Sequence, residues 1–412
     1  MQENKLNVKT TLLLSFGFFA SSIAWSVYNA YVPQLLAQFL ERTALIGLIM
    51  TIDNIFGVIF QPLFGRLSDR TRTRFGRRMP YIFIGLPICA GAFTLIPHMD
   101  NLWSLMAVVI LFTFVMSAWR SPVVALMPDI TPGPLRSQAN GIVNFMGGLG
   151  SLIAFAVGGL LFNAGGFQLP FLMSAIMMIL ALAVLALFVK EPKQAYEPEK
   201  QHVKTDVKLN KDEKKSLLLI LFGVFFWFTG YNAVETFFTL YATNTLNMSP
   251  GDASMTLAIF SLTFLGFAVP AGFIGARIGR RKAILIGLTG LVALFLPMIF
   301  ITNVWLTRAC LFLGGFFWSF VNINSLPMVV KLSGEEKIGT YIGYYYFFSF
   351  SSQIVSPILF GVIRDAVGHY TVLFLYSCIA FFLAAISLFF VRHGEDAKEQ
   401  ISATQVLEGL DD

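Results

Sequence analysis

Among the charged residues within long apolar runs of this 412-residue chain are Asp53, Arg120 and Glu235. Charge is costly there, so each is a functional candidate. A carboxyl group in an apolar, partly wet helix can take up and release a proton, which is the chemistry expected of Asp53 and Glu235. Asp53 stands beside Asn54, and Glu235 closes the string Tyr231-Asn232-Ala233-Val234-Glu235. The plainer reading of Asp53 is a hydrogen bond between helices, and that of Glu235 is a charge at a membrane interface. Arg120 lies deep in its run, just before Ser121-Pro122. Its plainer reading is an arginine that snorkels to the interface.

The densest charge lies elsewhere. An apolar run reaches Gln61-Pro62, then Gly65, then Ser68-Asp69-Arg70, and six arginines stand at 66, 70, 72, 74, 77 and 78 before Pro80 opens a new apolar run. Arginines in a short loop between apolar runs hold that loop on the cytoplasmic side. Asp69, at a helix end, can accept from backbone N–H groups of a neighbouring helix or pair with Arg77 or Arg78. Gly65 and Gly76 allow close backbone approach. The stretch therefore reads as a latch between helix ends, with topology alone as the plainer reading.

These residues must be positioned by apolar helices. Hydrophobic residues make up 56% of the chain and charged residues only 13%, half the share of a soluble domain. Twelve runs are long enough to span a bilayer: 11–38, 44–66, 79–97, 102–127, 138–164, 168–189, 216–245, 254–277, 282–302, 304–331, 338–363 and 370–391. The expected fold is an all-α integral membrane protein with twelve transmembrane helices in two six-helix halves. Residues 1–189 form the first half, 190–215 a polar, Lys-rich cytoplasmic linker, 216–392 the second half, and 393–412 a disordered cytoplasmic tail. Lys and Arg concentrate in alternate gaps; Arg42 and Arg364 are exceptions. Both termini are therefore expected in the cytoplasm of a cell-membrane protein.

The net charge of +6 sits in short loops and serves topology, not nucleic-acid binding. The three cysteines, at 89, 310 and 378, lie in separate apolar runs and read as small buried hydrophobes. No Gly-rich phosphate loop, metal-ligand spacing or nucleophile–base pattern occurs in the sequence, so no enzyme, metal site or bound cofactor is expected.

The halves echo one another. Pro62, Gly65 and Gly76-Arg77-Arg78 precede Gly85-Leu86; Pro270, Gly272, Gly275 and Gly279-Arg280-Arg281 precede Gly287-Leu288. Trp119 and Pro128 repeat as Trp318 and Pro327 at the same spacing. This repeat, with an arginine loop after the second run of each half, resembles the major facilitator superfamily. The wording of Gln61-Pro62 through Pro80, Trp119-Arg120 with Asp129, and Trp25 with Tyr31-x-Pro33 resembles the sucrose-transporter branch of the glycoside–pentoside–hexuronide:cation symporters.

The resemblance implies a cytoplasmic gate built from Gly65, Asp69, Arg70, Gly76, Arg77, Arg78, Asp129 and Arg136, broken and remade as the halves rock. It implies that Arg120 contacts a sugar, whose vicinal hydroxyls suit the guanidinium fork. It also implies a cavity lined by runs 1, 4, 7 and 10. A sugar needs polar groups at its edges and an aromatic ring beneath. The lining candidates are Trp25, Asn29, Arg120, Tyr231, Asn232, Trp318 and Asn322, with Gln353 from run 11. Trp25 and Asn29, four apart, share a helix face. Gln61 stands where the melibiose-type branch carries an acid of its sodium site, so protons are the expected coupling ion and sodium the alternative. The expectation is a monomeric proton-coupled sugar symporter in a lipid bilayer. Its cargo would be a glycoside such as a disaccharide. A drug or lysolipid carrier and a non-transporting sensor are the alternatives.

Overall fold

A computed structural model describes residues 6–132, 135–191, 211–331 and 338–391. The expected tail and most of the expected linker lie outside them. The described residues contain thirteen α-helices: α1 (Val8–Leu36), α2 (Thr43–Met50), α3 (Ile52–Arg70), α4 (Met79–Leu95), α5 (Leu102–Ile130), α6 (Arg136–Gly165), α7 (Gln168–Phe188), α8 (Lys211–Thr245), α9 (Pro250–Ile278), α10 (Arg280–Phe295), α11 (Val304–Lys331), α12 (Ile338–Val367) and α13 (Val372–Phe389). They make twelve spans long and apolar enough to cross a bilayer, with α2 and α3 sharing the second. The twelve expected runs and the twelve spans correspond one to one.

Local chemistry sets several helix starts. The side chains of Asn7 and Asn101 accept from Thr10 N–H and Ser104 N–H, at 3.0 and 2.9 Å, capping α1 and α5. Asn303 does the same for α11 through Trp305 N–H at 2.9 Å. The second run differs from a continuous helix at one residue. Thr51 separates α2 from α3, and its hydroxyl donates back to Leu48 C=O at 2.7 Å. This back-bonding competes with the helical ladder and places Asp53 in the first turn of α3.

The helices pack into two compact units that cut across the sequence halves. Of the described residues, the first holds those up to 191 with 233–261 and 354–373; the second holds those in 211–232, 262–353 and 374–391. In the first, α1 packs on α6 and α7, α3 on α5, and α4 on α5 and α7. The approach of α4 to α5 is close because Gly85 lacks a side chain: a Cβ there would come within 2.6 Å of Trp119 Cβ. In the second unit α10 packs on α11, and Gly287 lets Phe317 C=O approach to 2.7 Å from where a Cβ would sit. The Gly-Leu echo in the sequence is thus an echo in packing.

Gly85 yields a matched pair of predictions. Gly85→Val should cost about 1–3 kcal/mol by overpacking against Trp119. It should lower the thermal midpoint of the detergent-purified protein by several degrees. Gly91→Ala, on the same helix with open space around it, should leave the midpoint unchanged or raised. Equal midpoints for the two variants would remove the packing argument.

Candidate functional site

The arginine loop between α3 and α4 closes into an ion-pair network in the first unit. Arg78 is buried, its side chain only 5% exposed. Its guanidinium pairs with Asp69 and with Asp129, the latter through Nε–H at 2.9 Å. It also donates to Gly65 C=O at 3.2 Å and to the Ser68 hydroxyl. Arg77 pairs with the other oxygen of Asp129 at 2.7 Å. A guanidinium fork satisfied on all sides is the arrangement in which a buried arginine is tolerated.

Glu191, just after α7, completes the network and was not singled out by sequence reasoning, which assigned it to a solvated linker. Its carboxylate accepts from the backbone N–H groups of Arg77, Arg78 and Met79, at 3.0, 2.9 and 3.4 Å. It also faces Arg77 Nε at 3.6 Å. The start of α4 has no side-chain cap of its own, so a carboxylate there satisfies orphan donors and the helix dipole together. Two guanidinium groups and three carboxylates meet, and the positive end of α4 offsets the third acid. Gly76 is required here twice over. Its φ is +108°, and a Cβ would collide with the Glu191 carboxylate. The available signal was the charge itself, an acid just past the end of an apolar run.

The remaining gate candidates are Arg70 and Arg136. Arg70 is exposed at the end of α3. Arg136 donates to Pro128 C=O and Thr131 C=O, at 3.1 and 3.3 Å, capping α5. In the second unit Gly279 repeats the positive φ of Gly76, at +97°. There Arg281, the echo of Arg78, donates to Leu388 C=O and Phe389 C=O at 2.8 and 2.6 Å. In the second arginine loop, Arg281 thus caps the end of α13.

The apolar-run charges come together within the first unit. Asp53 interacts electrostatically with Arg120, Glu235 and the Tyr28 phenol, and Asn29 hydrogen-bonds Glu235. Asp53 also accepts from Asn54, at 2.7 Å from the backbone and 2.9 Å from the amide. Next to Arg120, Ser121 donates to Gln61 C=O at 2.8 Å and ties α5 to α3. Trp25 stands edge-on to Tyr28 and Phe112, with ring centroids 5.6 and 5.7 Å away. Candidates from α1, α3, α5 and α8 therefore form one polar group inside apolar helices.

The other lining candidates lie in the second unit. Tyr231 stacks face to face on Trp318, 4.4 Å between centroids and 4° between planes. Trp318 is buried, and Phe228 stands edge-on to it at 5.8 Å. Tyr231 is only half-buried, so of this stacked pair it is Tyr231 that keeps an accessible face, with Trp318 backing it. Asn232 donates to the Ser352 hydroxyl at 3.3 Å, beside half-buried Gln353. Asn322 is half-buried on α11, and its carbonyl accepts from Ser325 at 2.7 Å. Among the described residues no group of His, Cys, Asp or Glu is arranged to hold a metal ion.

The Major Facilitator Superfamily model matches residues 14–251 and 220–410. The class H tetracycline resistance protein of Pasteurella multocida is 25% identical, over 90% of this chain and 93% of its own length. The isoprimeverose transporter of Lactiplantibacillus pentosus is also 25% identical, over 66% of this chain and 60% of its own. Among solved structures, the nucleoside transporter NupG superposes with a TM-score of 0.70 at 14% identity, over 92% of this chain and 98% of that one.

Glu191 supplies the prediction from this geometry. Glu191→Ala should strip acceptors from the start of α4 and cost about 3 kcal/mol. Glu191→Gln, which keeps one acceptor oxygen, should cost less. Thermal midpoints of the purified variants should fall in the order wild type, Gln, Ala. Identical midpoints would show that the network does not depend on this carboxylate.

Proposed function

The chain belongs to the Major Facilitator Superfamily and is a multi-pass membrane transporter of that family, and on that premise we propose that it is a proton-coupled sugar symporter. The cargo would be a glycoside of about disaccharide size. The observation that carries this reading is the cluster of Asp53, Glu235, Arg120 and Asn29 inside apolar helices. Asp53 interacts with a second carboxyl group, Glu235, as well as with Arg120, and two acids close together inside apolar helices suit a proton carrier. Arg120 and Asn29 offer donors suited to hydroxyls. Tyr231, backed by Trp318, offers a flat apolar face suited to the C–H side of a sugar ring. Likeness to the isoprimeverose transporter supports a glycoside, and the Gln-Pro to Gly-Arg-Arg wording supports the sucrose-transporter-like branch.

In this mechanism sugar and proton enter from one side, and the loaded protein re-exposes both to the other. The Asp69–Arg78–Asp129 network acts as the cytoplasmic gate, with the arginine loop and both termini in the cytoplasm. The protein works as a monomer without a bound cofactor. A second reading rests on the likeness to the tetracycline resistance protein over nearly the whole chain: the same fold moving a drug outward.

One proteoliposome assay separates the readings. Counterflow of labelled disaccharide, with alkalinisation of the outer medium on adding sugar, is the expected result. Strict sodium dependence without a pH signal would refute proton coupling, and tetracycline counterflow without sugar counterflow would favour the second reading. Asp53→Asn or Glu235→Gln should abolish uphill accumulation while counterflow persists; retention of uphill accumulation in both variants would exclude both acids as the coupling site. Asp69→Asn should slow uptake without loss of protein from the membrane, and normal uptake kinetics would sink the gate assignment.

A further inference from the structure

Asp365 lies near the C-terminus of α12, where a carboxylate is unfavourable to its own helix dipole. Its partners lie on another helix. Its two oxygens accept from Thr43 N–H and Ala44 N–H, at 2.8 and 2.9 Å, in the first turn of α2. That turn has no side-chain cap of its own, because the N-cap residue is Arg42. A neighbouring α12 residue, Arg364, faces the same carboxylate at 3.3 Å and lies over the Tyr370 ring, 4.3 Å from its centroid. The Tyr370 hydroxyl in turn meets the Thr43 hydroxyl at 3.3 Å. All of these residues belong to the first compact unit, at the end of it opposite the arginine loop.

The backbones also meet without intervening side chains. The buried face of α2 is Thr43, Ile46, Gly47 and Met50, at helical spacing. A Cβ on Gly47 would collide with Pro357 C=O, and one on Gly361 would lie 2.6 Å from the Ala44 backbone. The same end carries a second fastening between helices distant in sequence. There Asn163 on α6 donates to Asp252 at the start of α9, at 3.1 Å. Gly159 admits Gly251 C=O to 2.5 Å from where its Cβ would sit.

We propose that Asp365 is the fastening of a second gate: by capping the first turn of α2 it holds shut the end opposite the arginine loop. That end opens only when the carboxylate leaves the turn. This second gate rests on the alternating-access reading above, with the arginine loop in the cytoplasm. The outer side of the cycle then belongs to a carboxylate–helix cap instead of an arginine network. Asp69 joins the end of α3 to the arginine loop by an ion pair; Asp365 joins the end of α12 to the start of α2 by backbone donors. The two ends of the second span are thus each held by a carboxylate.

The test uses full-length protein in intact cells, with Cys89, Cys310 and Cys378 replaced by Ser and Ile46→Cys as a probe on the buried face of α2. A membrane-impermeant maleimide is added outside. With Asp365 intact, labelling should be slow. Asp365→Asn should raise the labelling rate roughly tenfold, the loss expected of charge-assisted bonds to backbone donors. Gly361→Ala, which wedges a methyl group against Ala44, should raise it without touching the charge. An unchanged rate in both variants, at equal membrane abundance, would overturn the proposal. The readout needs no substrate, so a failed sugar assay would leave it standing. Fast labelling in the parent protein that neither variant increases would also overturn it.

Discussion

The buried guanidinium of Arg78 is the constraint from which the rest of the first unit follows. A cation that is only 5% exposed persists only where its donors are used and its charge is met. Asp69 from α3, Asp129 from α5 and the Gly65 carbonyl supply this, and they fix the ends of three helices against one another. Arg77 and Glu191 extend the arrangement to the end of α7. Because the acids come from separate helices, sliding any of these ends would strand a charge. Such an arrangement favours discrete states over a continuum.

The inner polar group obeys the same logic with the balance shifted. Asp53 interacts electrostatically with both Arg120 and Glu235, and Asn29 bonds Glu235. The one-residue break at Thr51 sits two residues before Asp53, where irregular backbone in a span is tolerated beside polar groups.

Much of this was legible in the sequence, for physical reasons. Span positions follow from the apolar runs, because the bilayer sets a length. A pairing of Asp69 with Arg77 or Arg78 was legible from the short loop, but the choice of Arg78 was not. Trp318 was legible as part of an aromatic surface, yet not as the ring behind Tyr231, since stacking order depends on two helices meeting. Glu191 and Asp365 were missed for a common reason. Each acts on backbone N–H groups far away in the chain, and backbone donors leave no mark on residue type. Arg364 stood out only as an exception to the charge pattern, although it adjoins the Asp365 contact.

Glu191 has a consequence for how the chain could be divided. The carboxylate that caps α4 stands only two residues beyond Val189, so the first half of the polypeptide ends, in energetic terms, after Glu191 and not at the last apolar residue. Two separately expressed fragments meant to reassemble in the membrane would have to be cut downstream of Glu191. A cut placed before it would hand the counterion of the arginine loop to the wrong fragment.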